Sequence, residues 1–172
     1  MNRRESLVRL SALAAHALFP QVLEHFGRAT VALAQTPAEW QPEVLSLDQG
    51  RLLAEVVNTI IPDTDTPGAK AARVHVFVDL MLKDCVPAAE RQTLLAALDG
   101  LGDSFVTAAR DERESRLAQI DAPALALLKQ LTLLGYFTSE IGASQALAYD
   151  PVPGSYRGCI GLNPGQRAWA SR

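Results

Sequence analysis

The chain has 172 residues, of which 48% are hydrophobic and 20% charged, the composition of a globular protein able to bury one self-sufficient core. Its 16 basic and 19 acidic residues leave a formal charge of −3, so the total offers no electrostatic attraction to nucleic acid or to anionic lipid. Cys85 and Cys159 are too few for a disulfide scaffold or a thiolate zinc site, which leaves one bridge or two half-buried free thiols.

Residues 1–34 differ from the rest. They open with the paired arginines Arg3 and Arg4, continue through Ala-, Leu- and Val-rich sequence and end in small residues, the order of an export segment. The pair resembles the twin-arginine signal, which carries folded proteins across the bacterial cytoplasmic membrane. The alternative is a retained amphipathic helix, because Leu7, Leu10, Ala14, Leu18 and Val22 recur at three- or four-residue spacing. His16, Pro20, Glu24 and Arg28 interrupt the apolar run, and no segment reaches the roughly 20 uninterrupted apolar residues of a membrane span. The domain proper is therefore expected over residues 35–172.

Ser46 with Gln49 three residues later is a capping box, and it predicts a helix with Leu52, Leu53, Val56, Val57, Ile60 and Ile61 along one stripe. Pro62 ends it, since the ring removes a donor and clashes with the preceding turn. The turn that follows, Asp63-Thr64-Asp65-Thr66-Pro67-Gly68, has two readings. It is either a rigid connector whose Asp and Thr side chains cap backbone N–H groups, or a small recognition surface for a partner or cation. A second helix follows from Val74, Phe77, Val78, Met81, Leu82 and Cys85 at i, i+3, i+4 spacing. His75, within it, reads as an ordinary surface or core-edge histidine with no base or orienter at helical spacing.

Pro87 and Glu90 start a third helix with Leu94, Leu98, Leu101 and Phe105 on its buried side, and Gly100 and Gly102 predict a kink or break. The run from Asp111 to Arg116 reads as a solvated face laced by intrahelical ion pairs. Asp121-Ala122-Pro123 starts a helix expected to reach Ala143, with Leu125, Leu128, Leu131, Leu134, Thr138 and Ile141 on one side. That segment is apolar nearly all round, so it is either central to a bundle or covered by a partner. Beyond Ala148 the density of proline and glycine predicts neither helix nor strand, and Tyr149, Tyr156 and Trp169 predict a tail that wraps the bundle or another subunit. The fold class is thus all-α, an irregular bundle of four or five helices with a long coil tail.

The residues carry no glycine-rich phosphate cradle and no His-Glu metal signature, so no catalytic, cofactor-binding or metal residue is assigned. The acids Asp63, Asp65 and Asp79 form one candidate cation site, with solvated or capping carboxylates the favoured reading. A stand-alone enzyme or ligand-binding domain using Asp63, Asp65 and Glu140 is the alternative reading.

Four motifs in order, IIPDTDTPGA, VHVFVDLML, TLLGYFTSEIGA and YDPVPGSYRGC, resemble the gluconate 2-dehydrogenase subunit 3 family over roughly residues 46 to 162. The resemblance implies a non-catalytic small subunit in a periplasmic complex at the cytoplasmic membrane. Its implied partners are a large FAD-dependent subunit of the glucose-methanol-choline type, often a multihaem cytochrome c, and the twin-arginine translocase, with FAD and haem c held by those partners. In such a subunit the signal at Arg3 and Arg4 serves the large subunit as well. The contact surface is then expected at Thr64, Asp65, Pro67 and Gly68, at Gly135, Tyr136, Phe137, Ser139, Glu140 and Gly142, and in the tail at Tyr149, Pro153, Gly154 and Tyr156. Tyr136 and Phe137 are the expected anchors, and Gly135 and Gly142 allow close approach.

Overall fold

A computed structural model describes residues 40–152, 154–155, 159, 161 and 163–171. Residues 1–34 with Arg3 and Arg4, and tail residues Pro153 and Tyr156, lie outside the described residues. The described part is helical: α1 (Leu47–Ile60), α2 (Val74–Asp84), α3 (Ala88–Leu101), the single turn α4 (Ser104–Thr107), α5 (Arg110–Leu117) and α6 (Ala122–Thr138). A π-helical turn over Gly142–Ala146 and two short strands, β1 (Ala148–Tyr149) and β2 (Trp169–Ser171), follow.

The local signals act where their chemistry requires. Ser46 accepts from the Gln49 N–H while the Gln49 side chain accepts from the Ser46 N–H, so α1 begins with a closed capping box. Asp121 caps α6 through the Ala124 N–H. The expected break after α3 occurs at Gly102, whose φ of 66° is a left-handed conformation that an L side chain strains to adopt. Phe105 therefore sits on the separate turn α4, fully buried.

Helix α1 is the axis of the bundle, packed against α2, α3, α4, α5 and α6, while α6 lies across α2, α3 and α1. Leu53, Val56, Val57, Val78, Leu82, Leu94, Leu98, Phe105, Leu128 and Tyr136 form one continuous core. Because α2 is sandwiched between α1 and α6, it buries Val76 and Asp79 as well as Val74, Val78 and Leu82. Phe77 and Met81 are only partly covered. Cys85 is the exposed residue after the helix end, not part of its core stripe, and Cys159 is likewise free and exposed.

The charged run does more than face solvent. Arg110 pairs with Glu114 and Arg116 with Glu112 at helical spacing, as expected. Arg113, however, turns inward to donate to the carbonyls of Val106 and Ala108 and to Glu55 at 2.7 Å. Arg116 donates to the Leu101 carbonyl, and both guanidinium groups lie over the Phe105 ring, 5.9 and 5.7 Å from its centroid. The two arginines thus tie the interrupted α3–α4 connection to α1 and α5.

Two expectations for the C-terminal part are corrected. Helix α6 stops at Thr138 and not near Ala143, because Ser139 adopts an extended conformation with ψ of 158°. The tail contains strand as well as coil: β1 and β2 pair in parallel, aligning Ala148 with Trp169 and Tyr149 with Ser171. A parallel pair needs a long connection, and residues 150–168 supply it.

Candidate interaction surface

The turn after α1 is wired from both ends. Asp63 accepts the Gly68 N–H at 2.8 Å and the Asn58 side-chain N–H at 3.4 Å, and the Ala69 N–H returns to the Ile61 carbonyl. The Gly68 N–H, and then Asn58, hold the Asp63 carboxyl below the usual carboxylate range. A Cβ on Gly68 would lie 2.7 Å from the Asn58 side-chain oxygen, the Asp63 nitrogen and the Ile61 carbonyl oxygen. From the opposite side, the Tyr136 hydroxyl donates to the Pro67 carbonyl at 2.8 Å and lies 3.3 Å from the Thr66 hydroxyl. Asp63 acts here as the backbone cap that the connector reading anticipates. Thr64 and Asp65 stay exposed, bonded to each other, while Pro67 is half-buried and Gly68 buried.

Tyr136 is 2% exposed, so its ring is core and its hydroxyl a brace for the turn. The expectation of Tyr136 as a surface anchor therefore fails: a ring enclosed by its own fold has no face for a partner. Gly135 is buried too, and its missing side chain makes room for α2, since a Cβ there would fall 2.6 Å from Phe77 Cδ1. Ser139 caps in two directions, donating to the Tyr136 carbonyl at 2.6 Å and accepting the Gly142 N–H at 3.0 Å. Gly142 lies so close under the end of α6 that a Cβ would sit 1.9 Å from the Tyr136 carbonyl oxygen. The close approaches expected of Gly135 and Gly142 are thus made within the chain.

The other side of α6 is open. Leu133, Leu134 and Phe137 are 46%, 45% and 40% exposed, and the Phe137 ring stands edge-on to Tyr136 with centroids 5.2 Å apart. The sequence pattern groups Leu134 and Thr138 on one side with Leu125, Leu128 and Leu131, but Leu128 and Leu131 are buried whereas Leu134 and Thr138 are exposed. A three-residue repeat drifts about 60° per step on a helix of 100° per residue, so Leu125 and Leu134 end on opposite faces. The buried side is Ala124, Leu128, Leu131, Thr132, Gly135 and Tyr136. In the tail Tyr149, Val152 and Trp169 are exposed, as is Gly154, which has a positive φ. Glu140 is also exposed.

The acids do not converge. Asp79 is 1% exposed and accepts the N–H groups of Glu43, Val44 and Leu45 at 2.7, 3.1 and 3.0 Å, fastening the segment before α1 onto α2. Burial raises its pKa, and the Leu45 and Val44 N–H groups partly offset that. No group of three His, Cys, Asp or Glu side chains able to hold a metal occurs among the described residues, so neither Asp63, Asp65 and Asp79 nor Asp63, Asp65 and Glu140 make a cation site. Asp79 is thus the capping carboxylate that the sequence allows for it, and its position three residues from both Val76 and Leu82 places it on the buried stripe. His75 lies on the same helix, and burial, then Arg73 and Lys70, lower its pKa to about 4. Glu55 joins Lys70 at 2.5 Å and Arg113 at 2.7 Å; burial raises its pKa, but these two cations outweigh it and the net shift is downward.

A shallow groove of about 650 Å³ between α3 and the α5–α6 connection is lined by Ala96, Ala97, Gly100, Arg116, Ile120 and Asp121. Its two charged residues already serve the fold, Arg116 on the Leu101 carbonyl and Asp121 as the α6 cap.

Comparison with curated proteins and with solved structures gives no match. The family model described as Gluconate 2-dehydrogenase subunit 3 matches residues 47–154, from the first residue of α1 to the start of the tail. That span takes in α1 to α6, the braced turn and the exposed face of α6, and the chain belongs to the gluconate 2-dehydrogenase subunit 3 family.

Proposed function

We propose that the chain is the non-catalytic small subunit of a flavin-dependent sugar or sugar-acid dehydrogenase, which assists the export, assembly and stability of a large flavoprotein subunit. The observation that carries this reading is the family match, because it spans the whole helical domain and its description names a subunit of a dehydrogenase. FAD, and haem c where a cytochrome takes part, belong to the partners in this reading. The complex is periplasmic and peripheral to the cytoplasmic membrane; among the described residues no helix is long and apolar enough to cross a membrane, as a peripheral subunit requires. The polar constellations of the domain support the assignment, since Asp63, Asp79 and Tyr136 spend their hydrogen-bonding capacity on backbone groups.

Co-expression tests the reading. The tagged full chain, produced with the large subunit, should retain a yellow flavoprotein in fixed stoichiometry, and the chain alone should neither hold flavin nor reduce an artificial acceptor with any sugar. Turnover by the isolated chain would overturn it.

A further inference from the structure

We infer that the outer face of α6, centred on Leu133 and Phe137, is the surface on which the catalytic subunit docks; this rests on the subunit reading above. Pro123, Ala126, Gln130, Leu133 and Phe137 follow one another at three- and four-residue steps and are all exposed, with Leu134 beside them. Lys129 is the only charged residue in the 17 residues of the helix. A helix apolar on every side requires cover on every side. The inner face has it from α1, α2 and α3, and the outer face carries two leucines and a phenylalanine at 40% exposure or more.

The anchor is held ready. Phe137 rests edge-on against Tyr136, and Tyr136 is pinned by its hydroxyl to the braced Pro62–Gly68 turn. A side chain already immobilised loses little conformational freedom on binding, which is how aromatic anchors come to dominate interfaces. The face also selects the kind of occupant. A bilayer surface calls for Lys and Arg flanking the apolar stripe, whereas this one has a single Lys129 and ends at the acidic Glu140. The fitting partner is a folded protein surface with an apolar helix or shallow apolar groove, and the family description, subunit 3 of a dehydrogenase, implies such a partner in another subunit of the same complex.

The test uses the tagged full chain co-expressed with the large flavoprotein subunit. Leu133→Ser combined with Phe137→Ser gives up partly buried contacts, the edge-on pair with Tyr136 among them, so it should lower the melting temperature of the chain slightly while it stays folded, and should lower retention of the flavoprotein at least tenfold. Gln130→Arg, which removes no packed atom and places a charge in the middle of the face, should lower retention to the same extent with the melting temperature unchanged. Leu47→Ser, at a residue 54% exposed on α1, is the control and should change retention less than twofold. If the unaltered chain retains no flavoprotein, the subunit reading itself fails. If it does, and the α6 variants retain it equally well, the docking face is wrong while the subunit reading stands. Sedimentation supplies the remaining outcome: a dimer of the chain alone that the α6 variants dissolve, with flavoprotein still retained, would assign the face to a second copy and overturn the proposal.

Discussion

Asp79 shows how much one side chain contributes when it serves several backbone groups at once. Its carboxylate accepts three N–H groups from a segment that otherwise has no secondary structure to satisfy it. Asp79→Ala should cost about 2–3 kcal/mol, since it leaves donors unpaired, one of them buried, and Asp79→Asn should cost less because one oxygen remains to accept. Urea unfolding of the three proteins checks the order. His75 makes the fold sensitive to acid. Its folded pKa of about 4 lies below the unfolded value of 6.5, so the unfolded chain binds the extra proton first. Its contribution is complete above pH 6.5 and is lost as the pH falls toward 4, amounting to at most about 3 kcal/mol. His75→Gln, neutral throughout, should flatten stability between pH 6.5 and 4, and an unchanged pH slope would exclude His75 as the cause.

The elements meet at glycines, and the neighbours of each glycine decide what an added methyl group costs. At Gly68 two of the three atoms a Cβ would meet are backbone, which cannot turn aside. At Gly135 the nearest atom belongs to the Phe77 ring, which is only partly buried and can swing. Gly68→Ala is therefore expected to destabilise by about 2–3 kcal/mol and Gly135→Ala by about 1 kcal/mol. Thermal melts of the two variants test the ranking, and a greater loss at Gly135 would show the Phe77 ring to be fixed. Tyr136→Phe, which removes the hydroxyl from the Pro67 carbonyl, should cost about 1 kcal/mol through the turn alone. Much of this element-level architecture was legible beforehand: the Ser46 cap, the Pro62 stop, the Gly102 break and the Asp121 start each depend on one or two neighbouring residues. The end of α6 was not, because it rests on the turn of Ser139 toward both Tyr136 and Gly142.

At the scale of the described helical domain, the buried core lies toward α1 and the open apolar face toward the outside of α6. On the proposed escort reading, replacing Arg3 and Arg4 together by lysine should hold both this chain and the proposed large flavoprotein partner in the cytoplasm, measured by immunoblotting of periplasmic and cytoplasmic fractions. Unimpaired export of both would remove the escort role without touching the docking role. On the proposed reading, Leu133→Ser with Phe137→Ser should have the complementary effect, leaving export of this chain intact while releasing the proposed flavoprotein partner.

Periodicity and capping chemistry are properties of short stretches, so the all-helical class, most element boundaries and the family resemblance could be read from the order of residues. Which apolar residues were core and which were free to meet a partner could not. Leu131 and Leu134 are the same residue type three positions apart, and Tyr136 and Phe137 are adjacent aromatics, yet in each pair one is buried and one exposed. A helix apolar all round does not state which of its sides the rest of the chain will cover. That choice comes from the placement of α1, α2 and α3 against α6, a matter of packing between segments far apart in sequence.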